Sequence, residues 1–182
     1  MIPGEFDYFS PTTLNEAIGL LSEHGDDAKI LAGGQSLIPA MRFRLAAPEV
    51  LIDINRVDGL SYIKEVNGHL AIGAMTRESD VDESALVQEN YALLADTARV
   101  IADPLVRNMA TVGGNIAHAD PANDHPATML AYGAEVVAVG PGGERVIQID
   151  DFFVDLFENS LNDNEILREI RIPRPTANSG GC

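Results

Sequence analysis

Residues 107–124, with the sequence RNMATVGGNIAHADPAND, constrain the fold of this chain more than any other stretch. Polar side chains and two adjacent glycines stand here between two apolar segments. Apolar residues of a core helix or strand recur with the period of that element, and in this run they follow neither period. We therefore expect a loop that interrupts the core, in which Gly113 and Gly114 are free to adopt positive φ.

The composition of this run favours a nucleotide-type ligand. Backbone N–H groups around Gly113 and Gly114, with the side chains of Thr111 and Asn115 beside them, suit phosphate or carbonyl oxygens. The carboxylate of Asp124 would repel a phosphate, so it suits sugar hydroxyls or a ring N–H instead. An ordinary surface loop of the same composition is the alternative interpretation of this run alone.

A second Gly-Gly pair stands earlier in the chain. Residues 29–32 are predicted as a buried strand, Gly33 and Gly34 as a tight turn, and residues 36–45 as a helix. Unpaired amides and the positive end of a helix dipole face a turn of this kind, which favours an anion. The spacing matches neither the dinucleotide-binding fingerprint nor the P-loop. Together, the two Gly-Gly loops could hold one pyrophosphate from two sides.

The charge of the chain limits its partners. Lys and Arg number 12 against 28 Asp and Glu, a net charge of −16, so we expect no binding to nucleic acid. No apolar run is long enough to span a bilayer and the N-terminus lacks a signal peptide, which predicts a cytoplasmic protein without membrane insertion. The single cysteine, Cys182, leaves no ligand set for an iron–sulfur cluster within this sequence.

Local signals predict an α+β fold. Thr13 and Glu16 form a capping box that begins a helix, and Gly25 ends it. Asn67-Gly68 predicts one hairpin, and a glycine-rich turn predicts another later in the chain. Further predicted elements are helices at residues 91–101 and 126–132 and a strand at 165–172. The expected organisation is a first lobe at residues 1–56, a second lobe at 57–175 and a frayed tail at 176–182.

The segments AGGQSLIPAMRFRLA (residues 32–46) and RNMATVGGNIAHADPAND resemble the two FAD-binding loops of the flavoprotein subunits of molybdenum hydroxylases. The resemblance is strongest to the medium subunits of aerobic carbon monoxide dehydrogenases and extends to xanthine dehydrogenase flavin domains. It runs from the aromatic residues near the N-terminus to Ile172-Pro173. It implies a two-lobed FAD-binding fold of the vanillyl-alcohol oxidase (PCMH) type.

The resemblance also implies which residues bind FAD, and that binding is noncovalent. The first loop would hold the pyrophosphate from one side and the second loop from the other, while Asp124 would hydrogen-bond the cofactor and Leu161 would lie near the flavin ring. The implied cofactor-binding residues are Ala32, Gly33, Gly34, Gln35, Ser36, Thr111, Gly113, Gly114, Asn115, Asp124 and Leu161. No residue stands out as catalytic or metal-binding.

By this resemblance the chain is an electron-transfer subunit of an oxidoreductase, which passes electrons from iron–sulfur clusters to quinone or NAD. Its implied partners are a molybdenum-cofactor large subunit and a 2Fe-2S small subunit. The protein would orient the flavin, and the flavin would supply the redox chemistry. One alternative is a non-catalytic nucleotide-binding or assembly module. Another is a stand-alone flavin oxidoreductase of the same fold, which needs a proton donor facing the flavin. No residue stands out for that role, although His118 and His125 are candidates for proton transfer.

The sequence departs from the family pattern in three respects. The family continues into a smaller C-terminal domain that helps to cover the flavin, whereas this sequence ends at Cys182. We therefore expect open apolar surface near Phe152 and Leu161. Asn123 stands where small residues are common in the family. No cysteine matches the cluster-binding insertion of relatives that reduce aromatic thioesters, which argues against that branch.

Overall fold

The computed structural model describes residues 2–176, which form two main sheets of different kinds. The first sheet has three parallel strands in the order β1-β3-β2. Its strands, with the helices that connect them, are β1 (Asp7–Phe9), α1 (Leu14–His24), β2 (Ala28–Leu31), α2 (Leu37–Arg42) and β3 (Val50–Asp53). Because β2 and β3 are parallel neighbours, the segments that follow them emerge at the same edge of the sheet.

Helix α1 forms as its local signals predict. The Thr13 side chain accepts a hydrogen bond from the amide of Glu16, and the Glu16 side chain accepts from the amide of Thr13. Gly25 ends the helix at φ 52°. The apolar face of α1 packs on the first sheet through Ala17, Ile18 and Leu21, all buried. Since burial of that face stabilises the helix, the capping signal and the packing agree.

The second sheet has five antiparallel strands in the order β4-β5-β10-β6-β7, and a separate two-stranded hairpin lies beside it. Asn67 and Gly68 adopt φ 51° and 84° between β4 and β5, which confirms the predicted hairpin turn. The strands are β4 (Ile63–Val66), β5 (His69–Gly73), β6 (Glu135–Gly140), β7 (Gly143–Gln148), β8 (Phe153–Asp155), β9 (Glu158–Asn159) and β10 (Ile166–Pro173).

Six helices connect β5 to β6. They are α3 (Glu78–Glu83), α4 (Ala85–Asn90), α5 (Ala92–Val100), α6 (Pro104–Arg107), α7 (Val112–His118) and α8 (Asp124–Tyr132). The helices predicted at residues 91–101 and 126–132 are α5 and α8. The Asp103 side chain accepts hydrogen bonds from the amides of Leu105 and Val106, so the Asp-Pro pair that ends the preceding helical region also begins α6.

The prediction of a continuous loop over residues 107–124 is wrong, because α7 occupies its centre. Thr111 caps this helix by accepting a hydrogen bond from the amide of Gly114 at 3.2 Å. Gly113 and Gly114 thus lie in the first helical turn and do not adopt positive φ. Within this stretch the left-handed conformation falls on Ala119, at φ 52°, where α7 ends.

The buried apolar side chains form two clusters, and the fold is α+β as predicted. One cluster lies between the first sheet and α1, and it also includes Leu60, Met75 and Ile166 from beyond the predicted lobe boundary. The larger cluster packs α5, α7 and α8 on the second sheet. The division between residues 56 and 57 stays a prediction. Of the predicted tail, only Thr176 is among the described residues.

None of the helices in the described part of the chain is both long enough and apolar enough to cross a bilayer.

Candidate functional site

The two glycine pairs meet where the two sheets adjoin. We call residues 32–36 the first loop and residues 111–115 the second segment. A Cβ placed on Gly33 would lie 2.2 Å from the carbonyl oxygen of Met109 and 2.8 Å from Cα of Ala110. A Cβ on Gly114 would lie 3.7 Å from Cβ of Ala32. Glycine is therefore required at position 33 because two backbones touch there.

The amides of the two regions differ in what they bind. In the second segment, the amide of Gly113 donates to the Ala74 carbonyl at 3.0 Å and that of Gly114 donates to Thr111 Oγ1. The expectation that both glycine pairs offer free amides is therefore wrong for the second segment. In the first loop and the residue after it, the amides of residues 33–37 have no acceptor within the described part of the chain. Five consecutive free amides, with Gly34 at φ 75°, suit an anion.

The second segment contributes a close backbone approach and an unpaired side chain. A Cβ on Gly113 would lie 2.5 to 2.7 Å from atoms of Ala74, so Gly113 lets α7 begin directly against the end of β5. Asn115 Oδ1 is buried and accepts no hydrogen bond from any described residue. A buried amide oxygen without a donor is uncommon in native proteins and indicates a missing partner. The Thr111 hydroxyl is committed to capping α7.

Helix α7 also connects the second segment to the remaining predicted residues. Asn123 Nδ2 donates to the Asn115 carbonyl at 3.2 Å, which fixes the residue before Asp124 against α7. Asp124 begins α8 and is exposed. Asn159 Nδ2 donates to the Ala117 carbonyl at 2.7 Å.

Leu161 is fixed through the same asparagine. Its amide donates to Asn159 Oδ1 at 2.9 Å, and its side chain is half-buried against the larger core cluster. Asn159 was not among the predicted site residues. Asn159 binds both the C-terminal end of α7 and the amide of Leu161. Helix α7 therefore links all the predicted positions outside the first loop.

Open apolar surface was expected near Phe152 and Leu161, but Phe152 itself is 0% exposed and contributes none. It packs edge-on against Phe153 with the ring centroids 5.3 Å apart. The open apolar surface lies on the neighbouring β8–β9 hairpin, where Val154, Leu156 and Phe157 are exposed. Phe157 contacts the half-buried ring of His118 at a centroid distance of 5.1 Å, so the exposed hairpin lies against the end of α7.

Two further side chains join the glycine regions and were not predicted. Asn55 Nδ2 donates to the Ala32 carbonyl at 2.8 Å, and Arg77 Nη2 donates to Asn55 Oδ1 at 2.7 Å. Arg77 Nη1 donates to the Met109 carbonyl. A signal for Asn55 exists in the sequence, because it follows a strand parallel to the one that precedes the first loop. No local signal identifies Arg77, since its partners are remote in sequence.

Asp53 holds Asn55 in place. Its Oδ1 accepts from the amide of Asn55 at 2.9 Å and from Asn55 Nδ2 at 2.6 Å, and its Oδ2 accepts from the Tyr8 hydroxyl at 2.5 Å. Burial acts to raise the pKa of Asp53, but the hydrogen bonds from Tyr8 and Asn55 outweigh it and hold that pKa below its usual range. The hydrogen bond to Asp53 raises the pKa of Tyr8.

Of the two histidines that were candidates for proton transfer, His125 lies in an unsuitable position. His125 is 0% exposed and its Nε2 lies 2.7 Å from Oε2 of Glu78, also 0% exposed. The pair connects the first turns of α3 and α8. Because a general acid must reach the reacting group, directly or through one water, burial argues against His125 in that role. His118 is half-buried and faces Phe157.

The sequence over residues 4–175 matches the family described as the FAD binding domain in molybdopterin dehydrogenase. The chain is 49% identical over 173 residues to the carbon monoxide dehydrogenase medium chain of Hydrogenophaga pseudoflava, covering 95% of this chain and 60% of that one. It is 41% identical over 182 residues to subunit alpha of the 6-hydroxypseudooxynicotine dehydrogenase complex of Paenarthrobacter nicotinovorans, covering 100% of this chain and 62% of that one.

Solved structures agree with these similarities. Carbon monoxide dehydrogenase from Hydrogenophaga pseudoflava superposes with a TM-score of 0.95 at 49% identity, over 97% of this chain and 62% of that chain. Quinoline 2-oxidoreductase from Pseudomonas putida 86 gives a TM-score of 0.92 at 34% identity, over 96% of this chain and 61% of that one. The chain thus spans less than two thirds of the length of these relatives.

Proposed function

Because this chain belongs to the family of FAD-binding domains found in molybdopterin dehydrogenases, with FAD as its cofactor, we propose that it is the flavin-carrying, electron-transfer part of a molybdenum hydroxylase complex. Its partners in this proposal are a molybdenum-cofactor large subunit and a 2Fe-2S small subunit. Electrons pass from iron–sulfur clusters through this chain to quinone or NAD. The relatives support a multisubunit setting, since they include medium chains and a complex subunit.

The residues present fit FAD. The five free amides of residues 33–37 match the oxygen acceptors of a pyrophosphate, and the contact of Gly33 with residues 109–110 leaves no side chain between the glycine regions. The net charge of −16 does not attract phosphate, so a phosphate group has to be bound by local backbone amides. Of all observations, this row of amides beside the second segment best supports the proposal.

Each predicted residue then has a role in the proposal. The first loop (Ala32, Gly33, Gly34, Gln35, Ser36) holds the pyrophosphate, and the second segment (Thr111, Gly113, Gly114, Asn115) closes the other side. Asn115 Oδ1 is free to accept a hydrogen bond from the bound molecule. Asp124 offers an exposed carboxylate to hydroxyl or N–H groups, and Leu161 offers apolar surface to the flavin ring.

When bound, FAD supplies the redox chemistry, and the protein contributes orientation and electrostatics. The acidic side chains give the surroundings a negative potential, which opposes a gain of negative charge at a reduced flavin. His125 is fully buried against Glu78, so it offers no proton donor to a molecule bound between the two glycine regions. This arrangement suits a carrier of electrons, and a flavin enzyme that protonates its own substrate would need a donor there.

Titration of the purified chain with FAD tests the proposal. We expect quenching of flavin fluorescence and a rise in the unfolding temperature, because a ligand that binds only the folded state stabilises it. Gel electrophoresis under denaturing conditions should release the flavin, since the binding proposed is noncovalent. A chain that neither quenches flavin fluorescence nor gains stability would refute FAD binding, and flavin retained on the denatured chain would refute the noncovalent part.

A further inference from the structure

We propose that Asn55 and Arg77 are positioning residues for the FAD site: as one unit, the cross-loop brace, they fix the separation of the first loop from the second segment. This inference rests on the proposed function. The brace runs through four groups in sequence: the Ala32 carbonyl, Asn55, the Arg77 guanidinium and the Met109 carbonyl. Its two ends are thus backbone atoms at the borders of the two glycine regions.

The carbonyls that the brace holds are the ones that determine the fit between the glycine regions. The Met109 oxygen is the atom against which Gly33 lies, and Ala32 immediately precedes Gly33. A carbonyl that loses its donor in a partly enclosed position tends to rotate toward another one. Rotation of the peptide after Ala32 would redirect the amide of Gly33, and rotation of the peptide after Met109 would disturb the contact with Gly33.

Both donors are themselves fixed. Asn55 is held by Asp53, which is held by Tyr8. The backbone of Arg77 pairs with Thr111 in an isolated β-bridge, and the amide of Arg77 donates to Asp80 Oδ2 at 3.2 Å. The bridge to Thr111 places Arg77 next to the cap of α7. The brace therefore connects the end of β3 to the start of α7 through side chains whose own positions are determined.

The partners of Arg77 differ from those of five other arginines in the chain. Arg99, Arg107, Arg145, Arg168 and Arg171 each lie within 4.0 Å of a carboxylate oxygen. The guanidinium of Arg77 has no such ion pair among the described residues, although acidic residues outnumber basic ones by 28 to 12. It binds two neutral acceptors instead. The planar guanidinium reaches both at once, which a lysine ammonium on its shorter and flexible stem does poorly.

Four variants of the full chain test the role: Asn55→Ala, Arg77→Met, Arg77→Lys and the double variant Asn55→Ala/Arg77→Met. Arg99→Met is the matched control, because Arg99 is an exposed arginine on α5 with ion pairs only. Two quantities are measured for each protein: the dissociation constant for FAD by fluorescence quenching, and the unfolding midpoint in urea without FAD.

We expect each single brace variant to bind FAD about tenfold more weakly, because it loses the contribution of about one hydrogen bond to the geometry of the site. The double variant should be about as weak as either single variant, because members of one network do not contribute additively. Arg77→Lys should remain defective despite its charge. The unfolding midpoints without FAD should stay close to that of Arg99→Met, and Arg99→Met should bind FAD as the unmodified chain does.

If the unmodified chain binds FAD and the brace variants bind it equally well, the positioning role of the brace is refuted and the proposed function is not. Restoration of affinity by Arg77→Lys would show that charge matters and not bridging, and would also overturn the positioning role. If FAD affinity falls only in variants whose unfolding midpoint without FAD also falls, the brace is a general stabilising contact and the positioning role is refuted. Failure of the unmodified chain to bind FAD would refute the proposed function, and the positioning role with it.

Discussion

Gly33 and Gly113 show that a glycine can be required by a neighbouring backbone and not by its own conformation. Neither adopts positive φ, and at both a Cβ would overlap main-chain atoms of another element: Met109 and Ala110 for Gly33, Ala74 for Gly113. For Gly113 the sequence suggested freedom to adopt positive φ, and the structure shows close packing of two backbones instead. A side chain there would push two elements apart and change the distance between the glycine regions.

At the residue scale, Gly33→Ala should weaken FAD binding by about a hundredfold or more, because the added methyl group forces the first loop away from Met109 at a cost of a few kcal/mol. Gly19→Ala is the control, since Gly19 lies on α1 with no atom within 4 Å of the added Cβ. That control should bind FAD normally and be slightly more stable. Equal FAD affinity of the two variants, measured by fluorescence quenching, would contradict a close approach at Gly33.

Among the elements, α7 has the widest set of connections to predicted site residues. Its first turn lies beside Ala32, the Asn115 carbonyl accepts from Asn123, and the Ala117 carbonyl accepts from Asn159. A shift of this short helix would move all of these positions together. The capping residue Thr111, 2% exposed, fixes where the helix begins.

Thr111→Ala should lower the free energy of unfolding by about 1 kcal/mol, the usual effect of losing an N-cap, and should also weaken FAD binding. Thr13→Ala removes an equivalent cap from α1, and Thr13 is not among the predicted FAD-binding residues. It should cost a similar amount of stability, as measured by urea unfolding, and leave FAD affinity unchanged. Parallel losses of FAD affinity in both variants would show that binding responds to stability in general and not to α7.

The connection between β9 and β10, which carries Leu161, is fixed by an ion pair. Arg145 Nε and Nη2 each donate to a Glu165 carboxylate oxygen at 2.7 Å, and Nη2 also donates to the Ser160 carbonyl at 2.7 Å. Arg145 holds the pKa of Glu165 below its usual range, against the effect of burial. A depressed carboxyl pKa adds stability above the unfolded-state pKa, and that contribution is lost as the pH falls through the folded-state pKa.

Arg145→Met should therefore reduce the free energy of unfolding by about 1 kcal/mol at pH 7. The difference from the unmodified chain should shrink below about pH 4, where Glu165 becomes protonated in the unfolded state and then in the folded one. Urea unfolding at pH 7, 5 and 3 measures this. A difference that is constant across these three pH values would show that Arg145 stabilises by packing alone.

At the scale of the whole molecule, the glycine regions lie where a parallel sheet and an antiparallel sheet adjoin, and apolar side chains stay exposed beside them. Val154, Leu156 and Phe157 project from the β8–β9 hairpin next to the end of α7. Exposed apolar groups close to one another commonly mark an interface. The chain also spans less than two thirds of the length of its relatives.

We predict that the isolated chain shows little flavin reduction by carbon monoxide, purines or other hydroxylase substrates. Coexpression with a two-cluster iron–sulfur subunit and a molybdenum subunit should make the bound flavin reducible by substrate, because an electron carrier needs a donor near its ring. Anaerobic absorbance spectra before and after substrate addition measure flavin reduction. Rapid substrate-driven reduction in the isolated chain would contradict the subunit interpretation.

The sequence by itself determined the elements whose cause is local. The Thr13–Glu16 capping box, the Asn67-Gly68 turn and the apolar pattern of α1 all appear where predicted, because each depends on residues within one turn or hairpin. The family resemblance carried by the two glycine regions is confirmed, and with it the α+β FAD-binding fold. Which residues hold FAD stays a prediction.

Only the tertiary structure decided what the second glycine pair does. Two adjacent glycines disfavour a helix by about 1 kcal/mol each, so the local sequence predicted a loop. The amides of Val112 and Gly113 instead donate to carbonyls of Thr76 and Ala74, and these bonds favour α7 despite the glycines. The cross-loop brace was likewise decided only by the tertiary structure. Its residues are separated along the chain and meet only after both sheets form, which no local pattern of residues can encode.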